Sequence, residues 1–299
     1  MRDIAEMSII HIDVTNACHL RCANCTRHMG HHKKTFFMDL EFVEKAIDSL
    51  EGFPGQIGLM GGEPFLHPKI KEIIELFSKK IDRRHRHIWT AGYQWEKNKD
   101  LVYKHFDKDF ITYNDHTAPG KHQPLLVAID DVIENKELAD ELISNCWVQE
   151  QWSAAITPKG GFFCEVAGSL DWLLDGPGGV KIEKGWWKKS LSEFQAQINN
   201  NCRRCSACIP LKTESDGFGG RLGPTKDTIS KSNLEILKDK SLKIEKGHYK
   251  IMDKKLSNED IIKNSFNWTP SRYREFISHS LEDSFQHRLL AKEEKIKAR

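Results

Sequence analysis

Residues 8–114 alternate short apolar runs with longer stretches whose apolar residues recur at helical spacing, and no other feature of the chain restricts its fold so strongly. Residues 8–15 read as a first strand, ending in a Cys-rich loop that runs to about Lys34. A helix follows: Asp39 can cap it, Leu40, Val43, Ile47 and Leu50 share one face, and Gly52 and Pro54 stop it. Residues 56–60 predict a second strand closed by Gly61 and Gly62. Pro68 then opens a second helix through Lys80, with Ile70, Ile73, Ile74 and Phe77 on one side. A strand at 87–90, a helix at 95–106, a strand at 110–113 and a fifth strand at 125–129 continue the series. Alternation of this kind implies an α/β fold with a parallel sheet wrapped by helices. Five units are too few for a closed eight-stranded barrel of ~250 residues, so a partial (β/α) barrel is expected, its strand C-termini forming the rim of the site.

The pattern changes at Cys146. Residues 148–156, a turn at 157–161 and residues 162–165 predict a β-hairpin, followed by short helices at 167–174 and 191–200. Beyond Pro210 the chain is Lys-rich but mixed in sign, which usually makes a solvated face, and ends in an amphipathic helix bearing Phe276, Leu281, Phe285 and Leu289. The expected organisation is a barrel core at 1–140, a small hairpin-and-helix domain at 141–210, and a C-terminal helical extension at 211–299 that serves substrate specificity or docking. No internal repeat interrupts this division.

The 45 Lys and Arg residues nearly balance the 43 Asp and Glu residues, so charge alone neither requires nor excludes nucleic acid. No stretch approaches the ~18 apolar residues needed to cross a bilayer, and no basic segment leads into an apolar run near Met1, so a soluble cytoplasmic protein is expected. Eight cysteines in a reducing compartment would be unusual as disulfides. They are also clustered, at 18, 22 and 25, at 146 and 164, and at 202, 205 and 208, which favours metal or iron–sulfur ligation.

Cys18, Cys22 and Cys25 lie on the loop directly after the first strand in a C-x3-C-x2-C spacing. Three thiolates on one loop can hold three irons of a cubane cluster and leave the fourth open to chemistry, whereas a structural site is closed by four ligands. Such a spacing is also half of some zinc sites. Here it is accompanied by Gly61-Gly62-Glu63-Pro64 at the end of the second strand and Thr90-Ala91-Gly92 at the end of the third. In this order and at these strand ends, the three motifs resemble the signature of the radical S-adenosylmethionine (SAM) superfamily. The resemblance implies a [4Fe-4S] cluster on Cys18, Cys22 and Cys25 whose open iron chelates SAM. It further implies contact of Gly61, Gly62, Glu63 and Pro64 with the SAM amino group, and of the rim residues Thr90 and Asn114 with SAM. Reductive cleavage of SAM would then yield a 5′-deoxyadenosyl radical, with an electron donor such as flavodoxin or ferredoxin as partner. The position before the last Cys, often aromatic in the family, is Asn24 here.

Cys146 and Cys164 flank the predicted hairpin and a C-x2-C pair follows at Cys202 and Cys205, which resembles the Twitch form of the SPASM extension and implies one auxiliary [4Fe-4S] cluster on these four thiolates. Cys208 then either replaces Cys202 or Cys205 or is left over as a candidate hydrogen-atom donor. A zinc knuckle, or a cluster that only staples the domain, is the simpler alternative. Trp147, Trp152, Trp186 and Trp187 suit apolar packing around such a site. His28, His31 and His32 read either as proton-transfer or anion-holding groups near the substrate or as a solvated loop. Asn114, Asp115 and His116 read as a polar rim or simple capping, and Glu165 as a substrate contact or a partly exposed strand carboxylate.

The leading functional expectation is hydrogen-atom abstraction from a small polar metabolite or nucleotide, giving oxidation, epimerisation or rearrangement. It is favoured because peptide-modifying members often carry a recognition domain ahead of the first cysteine loop, which here begins at Cys18. The alternative is modification of a peptide, protein or nucleic-acid base. The third reading is a non-catalytic iron–sulfur or zinc module.

Overall fold

The computed structural model describes residues 1–114, 121–220, 223–267 and 277–278. In chain order the elements are β1 (Ile9–Thr15), α1 (Leu40–Ser49), β2 (Gln56–Gly61), α2 (Ile70–Lys80), β3 (Arg86–Thr90), α3 (Trp95–His105), β4 (Ile111–Asn114) and β5 (Lys121–His122). There follow α4 (Ile129–Val132), α5 (Lys136–Ser144), α6 (Trp147–Gln151), β6 (Ser153–Thr157), β7 (Gly160–Phe162), α7 (Glu165–Leu173) and α8 (Gln195–Asn201). The last are β8 (Glu214–Ser215), β9 (Asp227–Ile229), α9 (Lys231–Leu237), α10 (Leu242–Glu245), β10 (Tyr249–Ile251), α11 (Asn258–Asn267) and β11 (Ile277–Ser278).

The main sheet runs β11-β4-β3-β2-β1-β6-β7. Its pairings from β4 through β6 are parallel, while β7 and β11 close the two edges antiparallel. This is the α/β architecture of a partial barrel. Local chemistry explains the helices that wrap it: the Asp39 carboxylate accepts the Phe42 amide 2.7 Å away and starts α1, and Ile70, Ile73, Ile74 and Phe77 of α2 are buried as their spacing predicts. Each such side chain contributes roughly 1.5–3 kcal/mol on leaving water.

Every residue of β1 is buried, so the strand is covered on both faces. Ile10, Ile12 and Val14 join the core under α1 and α2. By strand alternation His11, Asp13 and Thr15 face the other way, into the concave side of the sheet. There His11 meets the edge of Trp89, with ring centroids 4.4 Å apart.

The fifth parallel strand is not 125–129. Leu125–Ala128 are buried, but only Leu126 makes a bridge, to Ile229, and the chain turns helical at Ile129. The fifth position belongs to β6, paired in register with β1 from Ile9↔Ser153 to Ile12↔Ile156. The predicted hairpin is therefore β6–β7 and extends the main sheet, and residues 148–151, expected to begin its first strand, belong to α6 instead. The amphipathic helix expected around Phe276, Leu281, Phe285 and Leu289 lies outside the described residues, as do Asp115 and His116. Among the described residues no helix is long and apolar enough to cross a membrane.

Candidate active site

The loop after β1 is closed at its base before it presents any cysteine. The Thr15 hydroxyl donates to the Phe36 carbonyl (2.7 Å), the Asn16 amide donates to the Lys34 carbonyl (3.0 Å), and the Phe36 amide donates to the Asn16 side chain (2.7 Å). Within it, Cys18, Cys22 and Cys25 are reduced, buried or half-buried, and close enough to disfavour one another's ionisation. Burial pushes the Cys18 thiol up to about 12, and raises Cys22 and Cys25 as well. Backbone amides aim at the sulfurs, that of Leu20 lying 3.4 Å from Cys18 Sγ. Thiols so reluctant to ionise, with amide donors aimed at them, suit ligands whose proton is displaced by a metal rather than a free nucleophile. The donor set thus fits an iron–sulfur cluster held on three sides.

Gly61 and Gly62 are dictated by this loop. A Cβ on Gly61 would lie 2.1 Å from the Thr15 carbonyl oxygen, at a φ of +137° that side chains rarely adopt, and one on Gly62 would lie 2.2 Å from that of Ala17. The bare backbone lets the Gly62 amide donate to Thr15 (2.8 Å) and the Glu63 amide to Ala17 (2.7 Å), so β2 clamps the cysteine loop. Pro64 opens a single helical turn just beyond, at Pro64–Leu66. The Glu63 carboxylate is fully buried. It accepts from Thr90 Oγ1 (2.8 Å), the Ala91 amide (2.7 Å) and the Phe65 amide (3.2 Å). Burial raises its pKa to about 7 against these bonds. The second and third strand-end motifs are thereby joined, and Asn114 ends β4 one residue past the Thr90↔Tyr113 pair.

The remaining five cysteines share one place. Cys146, Cys164, Cys202, Cys205 and Cys208 line a cavity of about 380 Å³ whose other walls include Ile143, Phe163, Val166 and Leu170. Burial raises Cys164, Cys202 and Cys208 well above the ordinary thiol range, and Cys205 to about 12. Among the described residues no three His, Cys, Asp or Glu side chains converge as ligands of a single ion. Trp147, Trp186 and Trp187 are buried in the core, but none lines this cavity: Trp186 packs on Phe194 and donates to Ser49 Oγ, and Trp187 packs on Phe53.

A third constellation escaped the sequence reading. Arg27, 2% exposed, sits on the concave side of the sheet between two carboxylates. Its Nη1 lies 2.8 Å from Glu165 Oε1 and its Nε 3.2 Å from Asp13 Oδ2, while Glu165 Oε2 also takes Ser153 Oγ (2.5 Å) and His11 Nδ1 (3.1 Å). Burial drives both carboxyls upward, but Arg27 and His11 override it at Glu165 and hold that group down to about 2. Asp13, with the poorer share of the guanidinium, stays raised. Glu165 is therefore not a partly exposed strand residue but a buried one at the start of α7. The signal was present in β1, where Ile-His-Ile-Asp-Val-Thr alternates apolar with polar residues in a strand covered on both faces. Asp13 and Arg27 also line a cleft of about 260 Å³ with Asn16, His32, Ser169 and Trp172. Asn16 and His32 line in addition a wider cleft, of about 800 Å³, that reaches Cys18.

The three histidines of the loop are not solvated. His28 Nδ1 is 2.6 Å from Ser169 Oγ, His31 bonds Ser241 (2.7 Å) and Asp227, and His32 contacts the Arg27 carbonyl (3.1 Å). Burial lowers His28 well below its ordinary range and His32 to about 4, so both are neutral imidazoles.

The fold and the first site together define a class. Residues 12–125 match the family model described as the radical SAM superfamily. Residues 12–125 therefore carry a radical SAM domain, and the match supports an enzyme; SAM, a [4Fe-4S] cluster and a one-electron reductant are what such a domain implies. Among solved structures the chain is similar to BtrN in complex with AdoMet and 2-DOIA, at 16% identity over 67% of this chain and 92% of that one, with a TM-score of 0.43. It is similar also to BtrN in an open conformation, at 16% identity over 70% and 95%, with a TM-score of 0.42. No curated protein matches it.

Proposed function

We propose that Cys18, Cys22 and Cys25 hold the SAM-cleaving cluster, and that the chain abstracts a hydrogen atom from a small polar molecule. When bound, the cluster supplies the electron that splits SAM to a 5′-deoxyadenosyl radical. The observation that carries this reading is the set of three thiols, buried or half-buried, on the loop after β1 that is locked against Gly61 and Gly62. The Asp13 cleft supports the substrate class. Its walls combine Asp13, Asn16, Arg27 and Ser169, which suit hydroxyl groups, with the Trp172 and Phe36 rings, which suit a ring face. Asp13, raised by burial, is the group there fitted to take up a proton if the net reaction is an oxidation.

An auxiliary [4Fe-4S] cluster on Cys146, Cys164, Cys202 and Cys205 is supported by the cavity that these thiols line together. Cys208 lines that cavity and not the Asp13 cleft, whereas a thiol that returns a hydrogen atom must reach the substrate. The proposed division remains a barrel core at 1–140, an auxiliary-cluster region at 141–210 and an extension beyond.

Anaerobic reconstitution tests these assignments. About eight irons per chain and formation of 5′-deoxyadenosine on reduction are expected, with loss of about four irons and all cleavage in the Cys18→Ala, Cys22→Ala and Cys25→Ala variants. Bound zinc without SAM cleavage would overturn the reading. Turnover of peptide or nucleic acid but of no small molecule would overturn the substrate class. Cys208→Ala with both clusters intact and turnover lost would restore the hydrogen-donor role.

A further inference from the structure

Residues beyond 210 fold back over the loop of Cys18, Cys22 and Cys25. The Asp227 carboxylate is the centre of the contact: it accepts the Asn24 amide (2.8 Å), His31 Nε2 and the Lys243 ammonium (2.8 Å), and all four residues are buried. Asn24 completes the junction, its side chain accepting the Thr228 amide (3.0 Å) and donating to Glu214 (2.9 Å). Lys243 is 3% exposed and makes one further bond, 2.9 Å to the carbonyl oxygen of Cys22. An ammonium ion is rarely buried unless paired, and this one is paired on one side and pressed against a cysteine backbone on the other.

We propose that Lys243, held by Asp227, is a positioning residue that fixes a positive charge against the cysteine loop and makes a cluster bound there easier to reduce. This rests on the assignment of Cys18, Cys22 and Cys25 as ligands. A cation near a cluster favours its more negative, reduced form, and net charge and hydrogen bonding around the sulfurs are established levers on cluster potential. The ammonium lies 2.9 Å from the backbone carbonyl of Cys22, itself one of the three cysteines, so its charge sits at the loop. Asp227 meets the loop at the backbone amide of Asn24, which is not among the three cysteines, whereas the ammonium lies on the carbonyl of Cys22.

The test is a potentiometric titration of the full chain carrying its clusters, following by electron paramagnetic resonance the signal that changes when SAM is added. Lys243→Met should lower the reduced-to-oxidised ratio at the wild-type midpoint about tenfold, a shift of ~59 mV to more negative potential for a one-electron couple. Lys243→Arg should stay near wild type. The double variant Asp227→Asn/Lys243→Met leaves no unpaired buried carboxylate and should also move negative, which keeps the idea testable if Lys243→Met does not fold. A full iron complement with an unmoved midpoint in either variant, or Lys243→Arg shifted as far as Lys243→Met, overturns the proposal. The Cys18→Ala/Cys22→Ala/Cys25→Ala variant separates the two claims: retention of the SAM-sensitive signal there would refute the ligand assignment, whatever Lys243 does.

Discussion

Arg27→Met would take the cation from between Asp13 and Glu165 and leave two buried carboxyls without it. The structure sets the size of the effect. Glu165 is held at about 2 against an ordinary 4.5 although burial pushes it the other way. A depression of that size, at ~1.4 kcal/mol per pKa unit, corresponds to about 3 kcal/mol of preference for the charged form. Because the folded-state value is depressed, this contribution is present above pH ~4.5 and is lost as pH falls toward about 2. At about pH 7.5 Arg27→Met should therefore cost about 3–5 kcal/mol, the range for breaking a buried pair. Glu165→Gln, which leaves the cation with Asp13 alone, should also destabilise. The double variant should be more stable than the sum of the two losses allows, by about 3 kcal/mol of coupling. Urea unfolding followed by tryptophan fluorescence under anaerobic conditions measures all four proteins. A coupling below about 1 kcal/mol, the value of an exposed pair, would refute the claim that this network acts as a buried ionic unit.

Glu63→Gln should change the pH dependence of stability in the opposite sense. The wild-type carboxyl is raised to about 7, so its stabilising protonation is present below pH ~4.5 and is lost as pH rises through 7; melting curves at several pH values between about 5 and 8 should be flatter in the variant. Gly61→Ala should destabilise by about 3 kcal/mol or more, because the positive φ and the Thr15 carbonyl both oppose a side chain; an unchanged melting temperature would contradict this. Asn24→Ala should loosen the junction of residues 214–228 with the cysteine loop, by roughly 1–3 kcal/mol for the buried partners left unpaired. Amide exchange in that segment should accelerate about tenfold or more, and unchanged protection would argue that the junction does not depend on Asn24.

What could be read from the sequence was what local chemistry encodes. Asp39 before an apolar helical stripe, Gly61-Gly62 after a strand and three cysteines on a loop each carry their structural meaning within a few residues. The errors came where tertiary pairing decided the outcome. Leu125–Ala128 is as apolar as any strand here, but its place in the sheet is taken by β6, and nothing local distinguishes a buried strand from a buried connection. Asn24 read as a departure from a family pattern. In the structure it sits at φ 52°, a conformation Asn tolerates better than an aromatic residue, and spends its side chain on residues 200 positions away. Lys243 lay in a charge run that usually means solvent, and only the fold shows that it is buried.

The network around Arg27 bears on how the two sets of cysteines are arranged. Arg27 lies two residues beyond Cys25, and Glu165 directly follows Cys164. The ion pair between them therefore ties the loop after β1 to the first turn of α7, while the β1–β6 register fixes the strands from which both segments depart. A buried ion pair gains little net stability over an apolar replacement of the same shape. Its distinct property is that each charge tolerates only the geometry that satisfies it, so a shift of either loop strands a charge in a medium where that is expensive. The guanidinium thus joins the segment that follows Cys25 to the one that begins at Cys164, so Arg27→Met should loosen the spacing of these two segments more than a surface substitution of equal size would.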